Sequence, residues 1–262
     1  MFPILAENAT RAQGEQFPIG HNRPMDANAI LVQVAAVGAL NVYALALVLL
    51  RAPLYKVRLY RPMVLNIGLS VAPPMMLAVT LGALLAVVVA APSPAAVWIT
   101  LVLGGGLWLL LLPNAAYLIT ELNLSHRAPK DPVPLWYDIV LVLSLALSGV
   151  MNTLLSVAMA QTLYSLVAHP NAASPLHGGD SWLITAGVLV LVSVGMYLGR
   201  YIRFNSWDVL HPVAFWRKLG AHFAQPGAPS AALGFCVTHT VLLGLLYAIT
   251  VVPAMTLITA TA

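Results

Sequence analysis

The sequence predicts an all-α fold: a polytopic membrane helical bundle of about six transmembrane helices, with an added amphipathic helix on the cytoplasmic side. Three observations predict it. Of the 262 residues, 60% are hydrophobic and only 8% are charged, roughly a third of the charge of an ordinary soluble domain. The 12 basic and 8 acidic residues all lie outside five runs, 27–50, 62–120, 139–179, 181–199 and 219–262. These runs are continuously apolar rather than alternating with period two, which excludes a transmembrane β-barrel. The same composition excludes soluble, disordered and disulfide-rich secreted classes.

A bilayer core about 30 Å thick needs roughly 20 apolar residues per helix. The run 62–120 is too long for one span, and Pro92-Ser93-Pro94 marks a turn near its middle. The run 139–179 is one span followed by a polar tail from His169-Pro170-Asn171. Six spans result, at about 27–50, 63–90, 95–119, 135–160, 181–200 and 231–256. No fixed-period repeat interrupts them, so residues 27–262 are expected to form one bundle after a polar tail, 1–26. That tail lacks the basic and apolar regions of a signal peptide, and the first span is expected to act as the insertion signal.

Orientation follows from Lys and Arg in the short loops. Arg51, Lys56, Arg58, Arg61, Arg127, Lys130, Arg200, Arg203, Arg217 and Lys218 fall on one side, against Arg11 and Arg23 on the other. The richer side is expected to be cytoplasmic, with both termini outside. The net charge of +4 therefore describes a positive-inside membrane protein rather than a nucleic-acid binder. A basic rim also attracts anionic lipid headgroups.

Several spans contain helix-disturbing residues. Pro73-Pro74 predicts a kink in the second span. Gly104-Gly105-Gly106, midway along the third, predicts close packing of a neighbour or a loosened helix. Pro113 is expected to break the cytoplasmic end of that span. Asn41, Asn66 and Asn152 are the polar residues expected near mid-membrane, each as a hydrogen-bonding link between helices. The lone cysteine, Cys236, excludes an internal disulfide.

The informative chemistry begins at Pro113. Asn114, Tyr117 and Glu121 recur at i, i+3 and i+7, which places an amide, a phenol and a carboxylate on one helical face. His126 follows in the next loop. Trp136-Tyr137-Asp138 opens the fourth span, its aromatics serving as interface anchors. The fifth span ends at Tyr197-Leu-Gly-Arg-Tyr-Ile-Arg-Phe-Asn-Ser-Trp-Asp208. There Arg200 and Arg203 share a face, and Asn205 or Ser206 is placed to cap a following helix with Asp208 in its first turn. That helix, about 207–223, carries Val209, Val213, Trp216 and Phe223 along one side and reads as interfacial, although Pro212 weakens it.

The strings Pro113-Asn-Ala-Ala-Tyr-Leu-Ile-Thr, Trp136-Tyr-Asp and Tyr197 to Asp208 resemble the motifs of an uncharacterised family of bacterial multi-pass membrane proteins, the domain of unknown function numbered 1361. The resemblance spans about 100–215. It implies a bacterial cytoplasmic (inner) membrane and a helical bundle, and it supplies no activity. Where the family pattern has Asp after the threonine, this chain has Glu121.

Ten residues form the candidate ligand-binding set: Asn114, Tyr117, Glu121, His126, Trp136, Asp138, Arg200, Arg203, Asn205 and Asp208. Two readings stay open. One is an ion-pair lock, Asp138 with Arg200 or Arg203, that ties three helix ends together. The other is a polar pocket in which one Arg grips a phosphate or carboxylate. A binding or accessory subunit ranks first, engaging an anionic lipid or a larger membrane protein complex. An enzyme acting on a lipid headgroup ranks second, with Glu121, His126 and Asp138 as acid–base groups. A small-solute transporter ranks third. No nucleotide- or cofactor-binding fingerprint is present, so no cofactor is expected. His126, His211 and His222 lack metal-site spacing, so no metal is expected either. His239 is expected to bond a neighbouring helix.

Overall fold

The computed structural model describes residues 25–90, 93–122, 132–169, 178–202 and 211–253. Among these residues the chain forms seven α-helices and no strand. They are α1 (Met25–Tyr55), α2 (Arg61–Ala90), α3 (Pro94–Tyr117), α4 (Leu135–Ala168), α5 (Gly179–Tyr197), α6 (Pro212–Phe223) and α7 (Ala228–Thr250). All except α6 are long and apolar enough to cross a membrane, with mean hydropathies of 1.9–2.2. The protein is an all-α, multi-pass bundle, as the runs of uncharged residues require.

Local chemistry places the helix ends. Ser93 caps α3 by accepting from the Ala96 amide at 3.3 Å, and Pro94 supplies the preset first turn. The α1 helix runs past Arg51 and Pro53 to Tyr55, about a turn beyond the end of the uncharged run. It stops where Lys56 adopts a left-handed φ of 55° and the Val57 amide reaches back to the Ala52 carbonyl at 3.2 Å. That is the 6→1 helix stop usually made with glycine. In the same way α4 continues to Ala168, with the His169 amide closing on the Ser165 carbonyl.

The prolines do not interrupt their helices. The α2 helix continues through Pro73-Pro74, both buried. Likewise α3 does not break at Pro113 but runs on to Tyr117, then tightens into a 3-10 turn over Leu118–Leu122. Pro113 instead packs on Gly195 of α5, where an added Cβ would come within 2.7 Å of the proline Cβ. At Gly149 of α4 the same atom would lie 2.7 Å from both the Ala115 carbonyl oxygen and the Leu118 Cβ. Gly104 meets Thr80 of α2, while Gly105 and Gly106 face open space. Small residues thus let backbones approach where helices cannot gain stability by escaping water.

The central element is α4. Buried residues make up 67% of its most apolar window, against 11–33% in the other spans. Leu154 and Val157 of α4 join Trp108 and Leu112 of α3, Leu189 and Met196 of α5, and Leu243 and Tyr247 of α7 in one core. Tyr137, Leu141 and Leu145 join Ala44 and Val48 of α1, Ile67 of α2 and Leu118 in a second. The outer faces carry exposed apolar residues such as Leu103, Leu183 and Val89, as lipid contact demands.

Polar side chains tie these apolar surfaces together at depth. Asn41 and Asn152 exchange reciprocal amide hydrogen bonds of 2.9 and 2.8 Å. Asn152 also donates to Ser70, whose hydroxyl donates to the Ala115 carbonyl at 3.2 Å. One network therefore links α1, α2, α3 and α4. The expected interhelical role holds for Asn41 and Asn152, whereas Asn66 is half-buried outside that network. Elsewhere the Trp108 indole donates to Ser156 at 2.7 Å, and Gln161 bridges Tyr247 and Ser181.

Candidate functional site

Two polar clusters stand at the end of the bundle where α1 finishes and α2, α4 and α7 begin. The first is built on Asp138, in the opening turn of α4. There the positive end of the helix dipole favours a carboxylate. Arg51 Nε donates to Asp138 Oδ1 at 2.9 Å, with the side chains 24% and 10% exposed. The pair rests on aromatic packing: the Tyr137 hydroxyl donates to the Leu47 carbonyl at 2.7 Å, and Tyr55 meets Tyr137 edge-on. Asp138 is thus paired with Arg51, which ties α1 to α4, and the expected pairing with Arg203 falls outside the described residues. Among the described residues, Arg200 makes no ion pair with it.

The second cluster surrounds Tyr197. After Tyr197 the chain widens into a π-turn, Leu198–Ile202, which holds Arg200. Such widenings recur at functional sites. Tyr197 is buried, and its hydroxyl lies 2.8 Å from His222 Nε2 in the last turn of α6. Its ring packs against Tyr201, Phe223 and Phe235. Arg200 is half-buried beside this cluster and has no hydrogen-bonding or ionic partner among the described residues.

Other expected site residues fall variously. Asn114 and Tyr117 are half-buried in the last turn of α3. The 3-10 tightening beyond Tyr117 rotates the Glu121 backbone position off their shared face, because three residues per turn replace 3.6. Trp136 is 62% exposed, in keeping with an interface anchor. His126, Arg203, Asn205 and Asp208 lie outside the described residues, as does the Glu121 side chain. The interfacial helix begins at Pro212 rather than 207, with His211 at its N-cap. Pro212 therefore starts α6 instead of weakening it, since a first-turn proline loses no hydrogen bond. The capping role expected of Asn205 or Ser206, and the first-turn place expected of Asp208, fall on residues outside the described ones. His239 bonds within its own helix, Nδ1 to the Phe235 carbonyl at 2.9 Å, and stacks on the Phe235 ring.

Sequence reasoning missed Arg51 as the partner of Asp138 and His222 as the partner of Tyr197. The first was legible in part, because no stop signal separates Leu50 from Arg51. The second joins residues 25 apart across a turn, and no spacing rule reports it.

Fold and clusters together define a multi-pass helical membrane protein with a polar, aromatic-rich end. The chain belongs to the family described as "Protein of unknown function (DUF1361)", which matches residues 69–246. No curated protein and no solved structure matches it.

Proposed function

We propose that this protein is a non-catalytic binding or accessory component of a bacterial cytoplasmic membrane, and that it holds an anionic lipid headgroup at its basic, cytoplasmic end. The observation that carries this reading is Arg200. Arg51 is held to Asp138 at 2.9 Å, whereas Arg200 is a half-buried guanidinium on a π-turn with no ionic partner among the described residues. A guanidinium offers a planar fork of donors suited to a phosphate. Exposed Lys56, Arg58, Arg61 and Arg217 add positive potential at the same end.

Purification in mild detergent followed by native mass spectrometry tests this. Arg200→Gln is expected to lose a co-purified anionic lipid while helicity and thermal stability stay unchanged. Retention of the same lipid at the same stoichiometry would overturn the proposal.

A further inference from the structure

We infer that α6 is a lever at the membrane surface which sets the position of Arg200, so that headgroup capture depends on α6 lying in an anionic interface. The inference rests on the headgroup reading above and names how that site is regulated.

Four observations carry it. First, no residue of α6 is buried by the protein. Its exposed Val213 (81%) and Trp216 (66%) need an apolar environment, and exposed Arg217 adjoins Trp216 in sequence. An apolar side flanked by basic residues is the pattern of a helix that lies in anionic headgroups. Second, α6 is joined to the bundle at its last turn, where His222 meets the Tyr197 hydroxyl and Phe223 stacks on the Tyr197 ring. Third, Tyr197 is the final residue of α5, directly before the π-turn that contains Arg200. Fourth, Tyr197 is 3% exposed and its ring also packs on Phe235 of α7. A shift of α6 is therefore passed to the residue that opens the Arg200 turn, while Phe235 of α7 also packs on that ring.

The coupling is a change in headgroup affinity that follows burial of the Val213–Trp216 side. It needs no bond-making step. In a neutral interface α6 gains apolar contact only, whereas in an anionic one it also gains attraction at Arg217, on the order of 1 kcal/mol per basic residue near the surface.

The test uses the full-length protein in nanodiscs of phosphatidylcholine containing graded phosphatidylglycerol, with bound phosphatidylglycerol counted after extraction into detergent. Four proteins are compared: wild type, Arg200→Gln, His222→Ala and Trp216→Ala. The inference expects Arg200→Gln to abolish retention. It expects His222→Ala and Trp216→Ala each to weaken retention about tenfold, with thermal stability within a degree or two of wild type. Tyr197→Phe, which keeps the ring and removes the hydroxyl, should reproduce His222→Ala. If Arg200→Gln abolishes retention but the α6 variants bind as wild type does, the lever is wrong and the headgroup site survives. If Arg200→Gln binds normally, the headgroup reading fails and the lever fails with it.

Discussion

Arg51 and Asp138 meet with most of their side chains removed from solvent, so substituting either one removes a close, charge-assisted contact from the other. Arg51→Gln or Asp138→Asn is expected to cost about 1.5–3 kcal/mol, the range for a hydrogen bond to a charged group. The double substitution Arg51→Gln/Asp138→Asn should cost clearly less than the two single losses combined. Unfolding of all variants in mixed detergent micelles measures this, and simple additivity would show that the pair is not coupled. The amide link at mid-bundle is a smaller matter. Asn152→Leu forfeits bonds to Asn41 and Ser70, each worth about 0.6 kcal/mol in membrane proteins. The expected loss is therefore about 1–2 kcal/mol, read in the same assay. The types of these residues were legible in the sequence, and their partners were not. Asp138 was singled out as a charge one turn into an apolar helix, yet its partner lies 87 positions away, beyond the reach of any spacing argument.

Helices in lipid gain little by hiding apolar surface from one another, so the closeness of their backbones decides how well they pack. Gly149 and Gly195 mark the two places where α4 and α5 touch the end of α3. Gly149→Ala and Gly195→Ala should each destabilise by roughly 1–3 kcal/mol through overpacking, despite the better helix propensity of alanine. Gly105→Ala faces open space and should be neutral or slightly stabilising. If all three substitutions behave alike, the close approaches do not govern the packing. Both contacts involve the resemblance motifs: Pro113 and Ala115 from one string, and Gly195 two residues before another. Part of what those motifs encode is therefore a fit between helices. Helix existence was readable for every span, whereas helix ends were not. The uncharged run stops at Leu50, but α1 does not, because one charged residue with a partner is no barrier to a helix.

At the scale of the molecule, the six candidate spans and the uneven distribution of Lys and Arg predict an orientation that can be tested directly. The proposal places Arg58 in the cytoplasm. A cysteine introduced as Arg58→Cys in a Cys236→Ala background should resist a membrane-impermeant maleimide in intact cells and react once the membrane is opened. Rapid labelling of intact cells would reverse the topology. It would also move the proposed headgroup site to the opposite leaflet.

What the sequence determined by itself is the environment and the number of crossings, because twenty uncharged residues in a row have few alternatives to a membrane helix. It also marked the end of the bundle where charge collects. The tertiary structure decided which of the described charges meet. Arg51, counted in the sequence only as a loop charge, is brought to Asp138 by one additional turn of α1. Arg200, read with Arg203 as one of two alternative partners for Asp138, stands instead on a widened turn behind Tyr197. The physical reason is that pairing depends on distances of a few ångströms between side chains on separate helices. Those distances are set by how glycines, prolines and buried amides seat the helices together, and no pattern along a single helix records them.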